Sequence, residues 1–488
     1  MNRPEPFPNN RRIPVVPIDE DSGESLVQKI EHFFVTQRHR LFLVHMVMFL
    51  GFLALLFLPL FLSEPSAQAT PLSHFTEFAS YILWGVWFPL TLLSVIFSGR
   101  SWCGLLCPMG AASEWANKYG PRIRIPRWLR WEGTPIVSFL LVTILGQTLG
   151  VRDHPEAVAL VFGGTLMAAI AIGFLFGNRK RAWCRHACPI GLLLGVFSRI
   201  GAIQFIPKRP KTGRTNYTEK GICPTLINIS QKNESRHCIE CFRCVNPKAK
   251  GGLKLAARRP GLEIENIRQH NPNPAEIWFL FLGTGTALGG FLWLSLDLYQ
   301  QLRLTVAGWF IDNNLLWIGD SGPWWLMSVH PERREVFTWL DFIMIVGFMS
   351  FCALTLAAML WTSTYLSAWL SRVQSRRSAN TAFFEETSLK KSAIELGYQY
   401  TPVALVSLVI GLGAELFQPL QLLGLTHFGI SSVKLTLFAM SLLWSIFLGY
   451  RILGHQHIDK GDRWLPLIPG IAGSSIVAAA WWPALFGG

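Results

Sequence analysis

Charge is scarce in this chain. Only 15% of its 488 residues are Asp, Glu, Lys or Arg, and the 30 acidic residues fall well short of the 44 basic ones. With half of the residues hydrophobic and a mean hydropathy of +0.32, the composition excludes an ordinary soluble domain as the first reading. A nucleotide-binding glycine pattern, a P-loop and a flavin-attachment signature are also missing, so no soluble electron donor is encoded. Forty polar residues, with an acidic run from Asp19 to Glu24, precede the first apolar segment, which is not the layout of a signal peptide. The nine cysteines lack the even scatter of a secreted disulfide framework. Eight of them sit in tight spacings or beside a proline, which favours metal or redox use.

What is present is apolar length. Several runs exceed the roughly 18–20 residues that cross a bilayer, and 20 Trp and 34 Phe accompany them. The net charge of +14 would suit a nucleic-acid partner, but in a polytopic chain Lys and Arg collect in cytoplasmic loops, so none is expected. Spans are expected near 41–62, 77–97, 134–151, 157–177, 275–297, 338–361, 400–420, 433–453 and 465–485. Basic clusters follow the second, fourth, sixth and eighth (Arg122 to Arg130, Arg179 to Arg185, Arg372 to Arg377, Arg451 to Arg463). That bias places the N-terminus in the cytoplasm and the C-terminus outside.

The fold expected is an all-α polytopic membrane protein of about nine transmembrane helices, lying among the lipids of a bacterial inner membrane. A cytoplasmic tail, 1–40, ends in an amphipathic helix from Leu26 to Arg40. A membrane core, 41–205, is followed by a polar, basic cytoplasmic insert, 206–273, and a C-terminal transmembrane bundle, 274–488. Residues 190–205 read as a short interfacial helix, and the Trp-rich stretch up to 336 as a loop with little periodicity.

A motif occurs twice in the core: Arg100-Ser-Trp-Cys-Gly-Leu-Leu-Cys-Pro-Met-Gly110 and Arg181-Ala-Trp-Cys-Arg-His-Ala-Cys-Pro-Ile-Gly191. An apolar segment of membrane length precedes each copy. Proline suits the first turn of a helix, so Cys107 and Cys188 are expected at helix N-caps. There the helix dipole and the flanking Arg100, Arg181 and Arg185 would lower the thiol pKa. If the two halves pack with pseudo-symmetry, Cys103, Cys107, Cys184 and Cys188 converge. They could then ligate a second metal centre, hold Cu(I), or cycle between dithiol and disulfide. The plainer alternative is packing at a tight turn.

The insert carries Cys223-Pro224 and then His237-Cys-Ile-Glu-Cys-Phe-Arg-Cys-Val-Asn-Pro247. Three cysteines at two-residue intervals wrap three corners of a [4Fe–4S] cube, and a cysteine followed by proline is the usual fourth ligand of a partner motif. Lys248 stands where this motif's own fourth cysteine would be. One ligand set is thereby complete: Cys223, Cys238, Cys241 and Cys244. A zinc knuckle is the alternative, but its paired spacing fits less well.

Elsewhere, Cys352 reads as a small buried hydrophobe, and His45 with Met48 as core rather than a metal stop. Asp297, Asp341 and Glu415 fall near the outer ends of spans, where a carboxylate could serve a quinol site or simply reach water. The Trp-rich residues 309–325 suit an aromatic belt as well as a cofactor lid.

Over residues 77–250, the two Trp-Cys-x3-Cys-Pro-x-Gly repeats and the ferredoxin-type insert resemble the polytopic iron–sulfur family of NapH, NosR and CcoG. The resemblance implies membrane electron transfer in which Cys103, Cys107, Cys184 and Cys188 match the family pairs. Cys223, Cys238, Cys241 and Cys244 match its cluster ligands. Members pass electrons from quinol towards periplasmic reductases, support nitrous oxide reductase, or reduce copper during oxidase assembly. Three functions follow as expectations: a [4Fe–4S] electron-transfer component of a respiratory system working with quinone or a redox protein partner, a copper-reducing or copper-handling assembly factor, and a cluster-bearing sensor. The chain departs from the family in retaining one complete cluster motif where two are usual, and in its extra C-terminal spans.

Overall fold

The computed structural model describes residues 26–66, 68–177, 180–208, 222–245, 252–333, 335–377 and 388–486. The acidic run, Arg179, and Lys248 at the missing ligand position lie outside them. Helices dominate, because an apolar run removed from water must satisfy its backbone N–H and C=O groups internally. Among the described residues seven helices are long and apolar enough to cross a membrane: Leu26–Phe61, Phe75–Ser98, Pro155–Leu175, Pro274–Ser295, Trp339–Ser375, Leu389–Leu412 and His427–His455. Two shorter apolar helices, Thr134–Thr148 and Trp464–Ala480, stand where the third and ninth spans were expected. An apolar helix thus stands at each of the nine expected positions, seven of them long enough to span a bilayer on their own; the chain turns at Gly150 (φ +67°) soon after the first of the short helices.

In chain order the elements that position the site are α1 (Leu26–Gln37), α2 (Leu41–Phe57), α3 (Phe75–Ser98), α4 (Ser101–Leu105), α5 (Pro108–Tyr119), α6 (Thr134–Thr148), α7 (Pro155–Leu175), α8 (Ala182–His186) and α9 (Gly191–Ser198). Prolines open α5 and α7 in their first turn, where the missing N–H costs no intrahelical bond. Helix α9 is buried at every residue, which corrects the expected interfacial segment. It is apolar on all sides because it is covered all round by α3, the insert and the C-terminal bundle. The chain then leaves as β1 (Ile203–Pro207), paired antiparallel with β2 (Leu253–Ala257).

This two-stranded insert has its own small core of Phe205, Phe242, Val245, Leu253 and Leu255, with Cys238 and Cys244 among them. Helix α1 lies over it: Phe34 stacks on Phe242 at 4.5 Å, and Glu31 accepts the Leu255 N–H at 2.7 Å. The C-terminal elements are α10 (Pro274–Ser295), α11 (Asp297–Asp312), α12 (Trp339–Arg377), α13 (Leu389–Leu412), α14 (His427–His455) and α15 (Trp464–Ala480). Helix α11 replaces part of the expected irregular stretch. Its exposed apolar residues (Leu298, Leu302, Leu304, Trp309, Ile311) form no single buried face, so no helical period shows in the sequence. Asp341, one of the singled-out carboxylates, accepts from Arg303 at 2.7 Å and from the Thr338 N–H, a structural use. Cys352 packs where α12 crosses α10 at Gly285 and Gly289.

A buried ionic clamp joins the insert to this bundle. Arg199, fully buried at the end of α9, donates to Glu263 and Glu276 (both 2.9 Å) and to the His270 carbonyl (2.8 Å). Tyr398 of α13 bonds Glu276, and Arg258 bonds Glu263. Burial would raise the Glu263 carboxyl, but Arg258 and then Arg199 overrule it and hold it at about 2, against an ordinary 4.5. A carboxylate held low in the folded chain contributes stability in full above 4.5 and loses it as pH falls towards 2. Arg199→Met removes the cation shared by the buried Glu263 and Glu276 carboxylates and should cost about 3–5 kcal/mol. Thermal unfolding of the purified protein at pH 7 measures that loss, and the difference between variant and parent should shrink when the scan is repeated near pH 3.

Candidate metal centres in two four-cysteine pockets

Each copy of the repeat folds into the same short device. Arg100 and Arg181 precede α4 and α8, and both are buried. In the first copy the N–H groups of Leu106 and Cys107 donate to the Trp102 carbonyl at 3.0 and 2.9 Å. In the second, those of Ala187 and Cys188 donate to the Trp183 carbonyl, both at 2.9 Å. The repeated tryptophan is buried in both, so its ring anchors the turn while its carbonyl draws the second cysteine back. The copies diverge after the proline. Cys107 caps α5 as expected, its Sγ accepting the Gly110 N–H at 3.4 Å. Cys188 does not cap a helix: its carbonyl takes the Gly191 N–H at 3.0 Å, and α9 starts only there.

Packing brings the four repeat cysteines together. Cys103, Cys107, Cys184 and Cys188 line one cavity of about 160 Å³. Arg100 lies at the thiol end; Trp84, Trp87, Phe88 and Phe162 form its walls, and Gln147 and Arg152 line it further on. The expectation of acidified thiols is overturned. Burial, reinforced by the neighbouring Cys103 and Cys184, pushes Cys107 up to about 12; burial against the opposing Arg181 still takes Cys184 to about 11, and Cys188 rises well above the ordinary value. Desolvation wins because three or four potential anions share one apolar hole, and two guanidiniums cannot offset it.

Those guanidiniums carry a second clue. Among the described residues, Arg100 Nε and Arg181 Nη2 are buried with no hydrogen-bond partner. Uncompensated donors of this kind are costly, and they suit an anionic occupant. A metal cluster held by four thiolates is such an occupant, since the metal deprotonates its own ligands.

The insert forms the second pocket. Cys223, Cys238, Cys241 and Cys244 line a space of about 20 Å³ with Pro224, Lys232 and Phe242. Glu240 and Phe242 adopt left-handed φ angles of 51° and 57°, and these turns let the three clustered cysteines face one point. Cys223 approaches from the strand of chain beside Thr225, whose hydroxyl is 3.4 Å from its Sγ. Burial pushes Cys238 up to about 12 despite Lys232, and Cys241 and Cys244 also rise. Among the described residues no three His, Cys, Asp or Glu are grouped to hold a single metal ion.

The two pockets sit back to back. Gly104, one residue after Cys103, runs so close to the insert that a methyl group there would overlap the Ile239 carbonyl and lie 3.0 Å from the Cys241 main chain. At Gly195 a methyl would stand 2.7 Å from the Arg236 carbonyl. Arg181 ties the assembly: its N–H donates to Pro224 O (2.8 Å), Nη1 to Cys103 O (2.8 Å) and Nε to Glu114 (2.8 Å). Glu114 in turn receives both Arg243 nitrogens, at 2.5 and 2.9 Å. Burial would raise the Glu114 carboxyl, but Arg181 and Arg243 hold it at about 2. His45 is spoken for as well, its Nε2 lying 3.2 Å from the Gly104 carbonyl, so with Met48 it is core rather than ligand. Glu114 was not singled out in the sequence, and Lys180 (Nζ to Cys223 O, 2.8 Å) and Arg152 counted there only as basic loop residues that set the topology. Glu114 alone had a signal there, as the one acid in the stretch just after the first repeat.

Comparison with known proteins agrees with this layout. A family model described as a 4Fe-4S binding domain matches residues 81–126 and 159–210, which contain the two repeats and end before Cys223. An uncharacterized protein of Methanocaldococcus jannaschii is 24% identical over 176 residues, covering 34% of this chain and 69% of its own. The regulatory protein NosR of Pseudomonas aeruginosa is 23% identical over 38% of this chain but 30% of its own length. The ferredoxin-type protein NapH of Haemophilus influenzae is 27% identical over 35% and 66%. No solved structure matches.

The close approach at Gly104 makes a direct prediction. Gly104→Ala forces the insert away from the repeats, an overpacking cost of about 1–3 kcal/mol. Iron and acid-labile sulfide per chain, measured after anaerobic purification, should drop; full retention of both would mean that the two pockets do not abut as described.

Proposed function

We propose that this chain, a member of the NapH/NosR family of ferredoxin-type membrane proteins, is a respiratory electron carrier that takes electrons from quinol and holds an iron–sulfur centre in each four-cysteine pocket. Cys223, Cys238, Cys241 and Cys244 would hold the insert's [4Fe–4S] cluster. Cys103, Cys107, Cys184 and Cys188 would hold the second, with Arg100 and Arg181 supplying the compensating charge. A four-iron cluster, when bound, exchanges one electron at a time. The seating of Gly104 against the Ile239 carbonyl and the Cys241 main chain brings the two pockets into backbone contact.

The observation that carries this reading is the pair of pockets and their unequal size. The insert's four cysteines line about 20 Å³, whereas the repeat thiols line about 160 Å³. The surplus lies among Trp84, Phe88 and Phe162 and reaches Gln147 and Arg152. An apolar slot with a few polar groups along it suits a quinol ring. Gln147 is oriented by the Trp293 indole N–H (2.9 Å), and Arg152 by Gly411 O (2.6 Å) and the Trp84 face (5.4 Å). The excess of Lys and Arg on the insert side supports a cytoplasmic insert and N-terminus in a bacterial inner membrane. Copper handling at the repeat thiols is less well supported, because no single-ion grouping occurs among the described residues.

Anaerobically purified protein should contain iron and sulfide for two four-iron groups, and quinol should reduce them in an EPR titration. Cys241→Ala should remove the insert's signal only, and Cys103→Ser with Cys184→Ser the other only. Stoichiometric zinc without iron would sink the reading; loss of no signal in the double variant would return the repeat thiols to packing.

A further inference from the structure

The cysteine cavity does not end in lipid on the side away from the insert. A second cavity, of about 520 Å³, adjoins it, and the two share Leu83 and Arg152 as lining residues. Chain direction places this vestibule on the opposite face: α3 and α7 begin beside it, at Glu77 and Pro155, and both run from there towards the cysteine repeats. Its charged lining groups are mostly acidic: Glu64, Glu77, Asp153, Glu156 and Glu415 stand against Arg152 and Arg333. These groups do not cancel one another, and the cations present are committed. Arg333 donates to Glu64 (2.8 Å) and to His154 Nδ1 (2.9 Å), while His154 Nε2 lies 3.0 Å from Glu335. The His330 ring stacks on His154 at 3.8 Å and closes that side. Arg152 is held by Gly411 O and by Trp84, so it stands as a fixed partition between an apolar slot and a titratable antechamber.

We infer that this vestibule is a proton outlet: protons leaving the cavity pass Arg152 to Glu415 and Asp153 and are released on the face opposite the insert. The inference rests on the quinol reading above. A quinol oxidised in the slot loses both hydroxyl protons and two electrons and becomes quinone. The electrons leave towards the thiols and the insert, and are taken up by a one-electron oxidant on that face. The protons need acceptors within reach, and on the thiol side only Arg100, already protonated, lines the cavity as a charged group beside the thiols. On the far side, burial raises the carboxyls of Asp153 and Glu415 from the ordinary range, with Arg152 opposing, so each is readier to take a proton than an exposed acid. Partly buried carboxylates at the ends of membrane spans, lining one cavity, can serve as proton acceptors. The consequence is charge separation: electrons and protons depart towards opposite faces.

The test uses the whole protein, reconstituted anaerobically with its clusters in phosphatidylcholine–phosphatidylglycerol vesicles containing trapped pyranine. Valinomycin and potassium collapse the membrane potential. Duroquinol is the donor and external ferricyanide the impermeant oxidant, so only molecules with the insert facing outward turn over. The expected result is acidification of the lumen in step with ferricyanide reduction, abolished by a protonophore. In the double variant Glu415→Gln with Asp153→Asn, acidification should be lost and quinol-dependent reduction should slow by roughly tenfold or more. The EPR signals after dithionite should be unchanged, which shows that the variant is folded and loaded. Protons appearing only outside, with quinol still oxidised, would overturn the outlet and leave the quinol reading standing. A double variant that acidifies the lumen like the parent would overturn the role of the two carboxyls and with it the route. If quinol is not oxidised at all while dithionite-reduced centres still react with ferricyanide, the quinol reading fails and the outlet falls with it.

Discussion

Arg181 is the residue on which the site depends. It is fully buried, yet it makes three kinds of bond to three different parts of the chain. Its backbone N–H holds the Cys223-Pro224 turn of the insert, its guanidinium holds the Cys103 carbonyl of the other repeat, and Glu114 balances its charge. Through Glu114 the same network reaches Arg243, between the last two cysteines of the insert loop. Burying a guanidinium costs several kcal/mol unless it is well paired. The arrangement repays that cost only when both repeats and the insert are in place together, so the packing of each pocket supports the other.

The thiols follow the same logic. Packed into apolar pockets, six of the eight are pushed above their ordinary pKa, and two buried guanidinium nitrogens beside the repeats find no partner among the described residues. On the proposed reading, loading a cluster would exchange protons for metal and supply the anion those nitrogens face. Binding is therefore coupled both to proton release and to the assembly of the three segments.

The C-terminal bundle acquires a role from its contacts. Glu276 and Tyr398 extend it under the insert and complete the Arg199 clamp, while Gly411 and Glu415 bring it to the far end of the cysteine cavity. It thus braces the cluster side and frames the vestibule on the other, which is why spans beyond the iron–sulfur region belong to the same working unit.

Much of this was legible in the chain itself. Apolar length fixes where helices stand, because a bilayer leaves a backbone few other choices, and the repeated Arg-x-Trp-Cys-x3-Cys-Pro-x-Gly declares two equivalent turns. Cysteine spacing likewise marks Cys238, Cys241 and Cys244 as one ligand set with Cys223 as its complement. Those are local properties, written in residues a few positions apart. What only the tertiary structure decided is what meets what. The four repeat thiols share a cavity of their own, and Gly104 lets the insert press against it. Glu114 and Arg152 find partners 67 and 259 positions away. Whether a buried thiol is acidified or not depends on how many other charges share its hole, and no spacing in the sequence records that.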